Sequence, residues 1–495
     1  MYTNRIFRYG RIAFCALLLA VVARPAEAVL TPNGGEELIN VTTANSQVTP
    51  EFACSQNGAF QAAVWASVDQ DGDGFGVFAR FGGSMVEVQV NQTVAGYQGT
   101  PHLSISNTGS VVIVWGADDP TDDSIFARVF TATGVPITGE FLIENLAGQQ
   151  QLARVDHFPN GNFAVVWKSI ATDQVILRAF DSIGSPISPH QVVSTLASPA
   201  GVDLAIGANN FGIVTWRVNG IGEGAYYRIV NSSGNWVTPE VQASQTTGDF
   251  FYGTAASTKA GGAYIAWIRL NSDGTNTLFI RGIAPNGVPL TPETEVHESA
   301  APFITHIDLS HDAAGRGALV WAETDGVDGD VFVHCLAGAA PVDAAELVNT
   351  TTLGRQRGGT VCHDHLGGLT IGWYSEDPAP DDCFVQKYML GGVSSVDPDG
   401  ALNTSTVSIS SAPSVFRSTT RLELRLAEPG SVEMGVFDVF GRQVRGWDRS
   451  PQRAGEFVLT WDGRSDAEQK LPAGTYWFRA RVGTSVSSTR LVLLH

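Results

Sequence analysis

Val111-Val112-Ile113-Val114-Trp115, an acidic loop, and then Ile125-Phe126-Ala127-Arg128-Val129-Phe130 form the pattern that decides the fold. The Trp closing the apolar run recurs at Trp65, Trp115, Trp167, Trp216, Trp267, Trp321 and Trp373, with spacings of 50, 52, 49, 51, 54 and 52 residues. A period near fifty made only of strand-like pieces predicts an all-β, seven-bladed β-propeller with one blade per repeat. Each Trp run is apolar throughout, as expected of a strand covered on both faces by neighbouring blades. The strand after the acidic loop carries Arg80, Arg128, Arg178, Arg228 and Arg281, with His334 and Gln386 in the last two repeats. Recurrence in five of seven repeats points to a structural role, the stem packed and the head on carbonyls or carboxylates.

A further strand stands about twenty-five residues before each Trp: Val86-Glu87-Val88-Gln89-Val90-Asn91, Phe141-Leu142-Ile143-Glu144-Asn145 and Glu346-Leu347-Val348-Asn349 are copies. Glu37-Leu38-Ile39-Asn40 is another copy, and none clearly follows the seventh Trp. The N-terminal copy is therefore expected to complete blade seven, pairing the chain's two ends and removing an open sheet edge.

Residues 1–28 read as a secretory signal peptide: Arg5, Arg8 and Arg11, an apolar run from Ile12 to Ala23, and the small-x-small site Ala26-Glu27-Ala28. The run is too short to span a bilayer, and no later segment is apolar enough to do so. The chain carries a formal charge of −19. Its acidity excludes nucleic acid and anionic membrane surfaces as natural partners. Export to a secreted or cell-surface location follows, and export permits disulfides. Cys54 and Cys362 each lie eleven residues before their Trp. Equivalent side chains in neighbouring blades would point the same way round, so buried free thiols are expected there, not a bridge.

The propeller spans 29–391, residues 392–411 read as a Gly/Ser/Asp-rich linker, and 412–495 form a second unit of short strands, a small Ig-like β-sandwich. In it, Val436-Phe437-Asp438-Val439-Phe440-Gly441-Arg442-Gln443-Val444, Trp461-Asp462-Gly463-Arg464 and Leu471-Pro472-Ala473-Gly474-Thr475-Tyr476 follow in order. This segment resembles the Ig-like domain of flagellar hook-capping (FlgD-like) proteins, and is similar to the C-terminal sorting domains of bacterial type IX secretion cargo. The resemblance implies a terminal appendage for export or surface attachment, with the export machinery as a partner, and no catalytic role for the unit.

Candidate site residues lie in the loops after the Trp strands. Asp69, Asp71 and Asp73, with Gly74, have the one-three-five spacing of a calcium loop, so Ca2+ is a candidate ligand. Asp118, Asp119, Asp122 and Asp123, then Glu323, Asp325, Asp328 and Asp330, and then Glu376, Asp377, Asp381 and Asp382 extend this into an acidic arc on one rim. The corresponding loops of repeats three to five offer only Asp173, Glu223 and Asp273. His157, His311 and His363 all fall ten residues before a Trp, on the opposite face, where polar turn residues are expected. No nucleophile elbow or phosphate-binding glycine loop is present. The expected function is recognition or adhesion toward an extracellular glycan or protein. A propeller-fold carbohydrate-active enzyme, a glycosidase or lyase, is the alternative.

Overall fold

The computed structural model describes residues 30–390 and 407–493, apart from loop stretches (including 119–122, 219–222, 246–248, 258–261, 364–367, 377–379, 427–429, 438–442 and 448–450) and some single or paired residues. The leader 1–28 and most of the expected linker lie outside the described residues. The described chain is all-β, and no helix occurs in it. No helix among these residues is long and apolar enough to cross a membrane.

Seven antiparallel sheets follow one another from residue 30 to residue 390, each built around one Trp strand. In the first, Gln47–Cys54, Gln61–Val68, Phe75–Phe81 and Val88–Gln89 pair in chain order. The first strands of successive sheets pack side by side, and the seventh, Gln356–His363, returns to the first, Gln47–Cys54. The last sheet draws on both parts of the chain: Leu30 pairs with Leu390, and Glu37 and Leu38 pair with Val385 and Phe384.

The sequence dictates this packing. All seven repeat Trp side chains are at most 1% exposed, and Val111 to Trp115 are wholly buried. The Trp stacks on an aromatic directly across the next strand, as in Trp115–Phe126, Trp216–Tyr226, Trp267–Phe279, Trp321–Phe332 and Trp373–Phe384, with centroids 6.0 to 6.3 Å apart. Each such pair adds about 0.5–1.5 kcal/mol beyond area burial. Apolar clusters bridge neighbouring sheets, and between the last and first sheets one cluster unites Ile39, Ala63, Trp65, Phe78, Cys383 and Val385.

The recurring Arg is a fork between sheets. Arg128 donates from Nε to Thr138 O (3.2 Å) in its own sheet and from Nη1 to Val90 O (2.9 Å) of the preceding one. Arg281 does the same with Thr291 O and Ala243 O, and Arg228 with Thr238 O and Val193 O. Arg80 of the first sheet reaches Ile39 O, in the N-terminal segment paired to the last sheet. A second clasp is acidic. Glu87 accepts from Val41 N and Thr42 Oγ1, Glu140 from Gln92 N and Thr93 Oγ1, and Glu240 from Thr195 N and Thr195 Oγ1.

The expectation for the cysteines is overturned: Cys54 and Cys362 form a disulfide, Cα–Cα 5.6 Å, while Cys335 and Cys383 are buried free thiols. The cause is one inserted residue. The turn between the first two strands spans seven positions in the first sheet (Cys54 opposite Gln61) but six elsewhere, as in His157 opposite Phe163 and His363 opposite Leu369. By register, Cys54 is the counterpart of His157 and His363, not of Cys362. A one-residue slip turns a strand side chain to the other face. Cys54 therefore faces the neighbouring sheet just as His157 Nδ1 faces Ser104 Oγ (3.0 Å) and His363 Nδ1 faces Ser310 Oγ (2.8 Å).

The C-terminal unit packs a three-stranded sheet (Val407–Ala412, Thr420–Leu426, Gly455–Trp461) with a second containing Ser485–Leu493, Gly474–Val482, Gly430–Phe437 and Gln443–Trp447. Its first strand begins inside the stretch read as linker. Trp461 is its core, flanked edge-on by Phe416 and Tyr476, with Nε1 donating to Arg464 O at 2.9 Å. Gly463 turns the chain at φ +75°, where a Cβ would meet the Leu493 methyls at 2.9 Å, so only glycine fits.

Candidate functional site

The loops after the Trp strands spend many of their carboxylates on the fold. Asp69 accepts from Gly74 N, Asp71 from Asn91 Nδ2 (2.7 Å), and Asp73 from Gly96 N (3.2 Å). Asp330 accepts from Asn349 Nδ2 and Asp382 from Asn40 Nδ2. Glu323 accepts from Trp321 Nε1 (2.8 Å) and lies 3.0 Å from His297 Nε2; Glu376 pairs with Arg355 and Arg357. Asp325 caps its own loop at Val327 N and Asp328 N, and Asp328 is exposed. Burial raises Asp381 and Asp382, the former also through Glu376. Asp119, Asp122 and Asp377, and the side chains of Asp118 and Asp123, lie outside the described residues. Among the described residues no three His, Cys, Asp or Glu side chains converge as a metal site. The histidines of the opposite face bind structure: His311 Nε2 lies 3.0 Å from Gly338 O, and Asp312 pairs with Arg316.

A different set comes together where the seven first strands meet. Each first strand carries a β-bulge, and in six of them a residue with positive φ sits at or beside it: Thr49, Thr100, Leu152, Gly201, His306 and Gly358. A bulge re-aims the side chains that follow. Near the bulge, the residue opposite the one preceding the Trp is Glu51, His102, Arg154, Asp203, Thr254, Asp308 and Thr360 in the seven sheets. The Trp, the apolar positions and the Arg repeat from sheet to sheet, whereas this position is polar throughout and changes almost every time.

These groups interact between neighbouring sheets. Arg154 Nε lies 4.0 Å from Asp203 Oδ1, with side chains 20% and 14% exposed, and Arg154 Nη1 donates to Ala153 O at 3.1 Å. His102 Nδ1 accepts from Val155 N of the next sheet. Asp308 accepts from Leu309 N and, across the sheets, from Val361 N at 2.7 Å. Thr360 Oγ1, in the seventh sheet, accepts from Phe52 N of the first at 3.3 Å. Glu51, His102, Arg154, Asp203, His306 and Asp308 all keep partial solvent access although strands surround them.

The electrostatics are those of a desolvated, mutually coupled cluster. Burial pushes Glu51 up to about 8, against the pull of Arg154 and helped by Asp308 and Asp203. Asp308 rises to about 6, burial outweighing its backbone donors. His306 is lowered to about 4 by burial and Arg154, and His102 falls well below the ordinary imidazole value by burial, Arg154 and His306. At neutral pH a neutral carboxyl (Glu51), an ionised one (Asp308), a guanidinium and neutral imidazoles thus stand close together.

Sequence reading missed this set because it aligned the repeats on Trp alone. Counting thirteen residues back from the last six Trp gives His102, Arg154, Asp203, Thr254, Asp308 and Thr360, but in the first repeat the inserted residue puts Phe52 there and hides Glu51.

The FlgD Ig-like domain family model matches residues 410–485. No curated protein matches. Solved structures with similar folds include a Dos1 propeller (12% identity, TM-score 0.43, covering 73% of this chain and 96% of that one). An ulvan lyase of polysaccharide lyase family PL25 gives 13% identity and TM-score 0.43, over 74% of this chain and 100% of that one. An α-L-arabinofuranosidase from Podospora anserina, in complex with cellotriose, gives 9% identity and TM-score 0.32, over 59% and 91%.

Proposed function

We propose that the seven sheets are the blades of one closed β-propeller in an exported protein, and that it recognises an extracellular, polyhydroxylated ligand at its axial channel. The Ig-like unit would serve export or surface attachment. The single observation carrying the site assignment is the break in repetition: a scaffold that repeats its core, its Arg forks and its Glu clasps varies its polar residue at one axial level. Scaffold positions repeat because the same contact is made in each sheet; a position that takes five residue types in seven sheets (Glu, His, Arg, Asp, Thr) must answer to something that is not symmetric. The Cys54–Cys362 bridge supports an oxidising compartment. A glycan array probed with the intact protein and with a Glu51→Gln/Asp308→Asn variant tests the reading. Binding is expected to be lost in the variant and kept in Asp325→Ala on the rim; binding indifferent to the axial pair would refute the site.

A catalytic reading is favoured by one further observation. Glu51 holds its proton at neutral pH, and Asp203 stands at the same strand level 4.0 Å from Arg154, so a proton donor and a second carboxyl are available together, the pairing glycoside cleavage uses. Release of new reducing ends from a bound glycan, lost in Glu51→Gln while binding persists, would establish it.

A further inference from the structure

A cavity of about 440 Å³ opens where the outer parts of the third and fourth sheets meet. Thr195 and Leu196 line it from the third sheet, and Tyr226, Arg228, Pro239 and Glu240 from the fourth; no axial residue takes part. Its volume lies in the range of small-ligand sites, about 300–1,000 Å³. Much of the wall is scaffold, since Arg228 and Glu240 correspond to Arg128 and Glu140 of the second sheet and to Arg281 and Glu293 of the fifth. Two residues depart from the repeat. Opposite the buried Trp stands Phe in five sheets, Ile176 in the third and Tyr226 in the fourth, so the fourth adds a hydroxyl there. Tyr226 lies on Trp216, with centroids 6.0 Å apart, and stays half-buried at the cavity. Trp236 bridges Val230 where Pro136, Pro186 and Pro289 stand in the second, third and fifth sheets, and the Arg228 Cζ lies 4.4 Å from its ring centre. With Nε on Thr238 O (3.0 Å) and Nη1 on Val193 O (3.3 Å), the guanidinium is held at three points, and Nη2 makes no hydrogen bond among the described residues. Glu240 Oε1 is taken up by Thr195 N (2.8 Å) and Thr195 Oγ1 (2.6 Å), whereas Oε2 has Ser194 Oγ at 3.4 Å.

The cavity therefore combines a fixed N–H donor, a carboxylate oxygen with lone pairs to spare and a phenol, beside the apolar edges of Leu196 and Pro239. An anion would gain Arg228 but meet Glu240, and a cation would meet the reverse. A neutral ligand with neighbouring hydroxyls satisfies both groups, because each hydroxyl donates and accepts. We propose that this cavity is a second ligand site, separate from the axial one, and that it takes a single neutral pyranose ring whose neighbouring hydroxyls meet Arg228 Nη2 and Glu240 Oε2. The Tyr226 hydroxyl supplies a third polar contact, and ring C–H groups cover Leu196 and Pro239. Two carbonyls and the Trp236 ring already hold the guanidinium, so binding loses little side-chain entropy there, which matters most for a ligand this small.

Ligand-observed NMR titration of the intact protein at pH 7 tests this. The probes are the methyl glycosides of glucose, galactose and mannose, with glucuronate and glucosamine as charged counterparts. At least one neutral glycoside is expected to bind with a dissociation constant on the order of 1 mM, and more tightly than either charged sugar. Tyr226→Phe installs the residue that five other sheets carry, so it should keep the melting temperature and weaken binding by about fivefold, the loss of one hydrogen bond. Pro239→Trp fills the cavity from an exposed position, occupied by Gly139 in the second sheet, and should abolish binding in a folded protein. Glu51→Gln/Asp308→Asn should leave this binding unchanged. Absence of neutral-glycoside binding, preference for a charged sugar, or indifference to both Tyr226→Phe and Pro239→Trp overturns the inference. If the axial double variant abolishes binding and the cavity variants do not, the axial reading stands and the second site falls; the converse pattern, with glycan-array binding indifferent to the axial pair, leaves the second site standing and removes the axial one.

Discussion

Asn40→Ala, set beside Asn91→Ala, measures how the two ends of the repeat region are joined. Asn91 caps the outer edge of the first sheet with four bonds: Oδ1 accepts from Val77 N (2.9 Å), and Nδ2 donates to Asp71 Oδ2 (2.7 Å), Thr93 O (2.9 Å) and Gln98 Oε1 (3.2 Å). Asn40, 343 residues before Cys383, repeats the first three with Cys383 N (2.8 Å), Asp382 Oδ1 (2.6 Å) and Thr42 O (2.9 Å). Both side chains are 2% exposed. Truncation leaves a buried backbone N–H and a carboxylate without this donor. An unsatisfied buried group costs about 1–3 kcal/mol, so each variant should lose about 2–4 kcal/mol. If residues 37–40 are the outer strand of the last blade, the two losses should be equal within about 0.5 kcal/mol, the spread expected of surface substitutions. Scanning calorimetry should show both melting several degrees low, with Asn40→Ala also enriched in higher-order species because the last sheet gains an open edge. A neutral Asn40→Ala beside a destabilised Asn91→Ala would refute closure through the N-terminal segment.

Further outcomes follow from other contacts. Arg281→Lys keeps the charge but cannot span Thr291 O and Ala243 O together, and should cost about 1–3 kcal/mol by denaturant titration; an unchanged midpoint would remove the fork from the argument. Cys54→Ser opens a bridge of sequence separation 308, and chain entropy sets its contribution at up to about 5 kcal/mol; the melt should drop, and a reducing agent should lower the wild type alone. Glu51 holds its proton in the fold up to about 8 but only to about 4.5 unfolded, so the native state binds more protons across that window and its stability falls as pH rises. His157 and His363, lowered to about 3, and His306 and His311, lowered to about 4, act oppositely, but only below 6.5. Between pH 6.5 and 8.5 the melting temperature should therefore decline, and Glu51→Gln should flatten that decline; a parallel slope in the variant would show that Glu51 is not held neutral. Chelator should leave the melting curve unmoved, since Asp69, Asp71 and Asp73 already accept from Gly74, Asn91 and Gly96; a chelator-induced drop would place calcium in that loop.

What the sequence discloses and what it conceals have the same origin, a scaffold made by repetition. Features that recur through the scaffold are readable without coordinates: the Trp buried in every sheet, the Arg of five sheets whose head lands on carbonyls, and the Glu37-Leu38-Ile39-Asn40 copy that pairs with the last sheet. Part of the acidic arc belongs to the scaffold. Asp71, Asp330 and Asp382 recur because each answers an Asn at a sheet edge, a contact of the scaffold. The axial residues share no residue type, so although all but Glu51 lie thirteen residues before their Trp, only strand register shows that Glu51, His102, Arg154, Asp203, Asp308 and Thr360 hold one position. One inserted residue in the first turn is enough to hide this, since it displaces Glu51 from the count and makes Cys54 look like the equivalent of Cys362. The same insertion creates two features of the first sheet: the thiol turned toward the last sheet for the bridge, and the carboxyl placed one residue earlier than the Trp spacing implies. Deleting one residue from the turn after Cys54 therefore tests both at once. It should rotate Cys54 away from Cys362 and leave two additional titratable thiols, while an unchanged thiol count would show that the register, and with it the axial alignment, had been read wrongly.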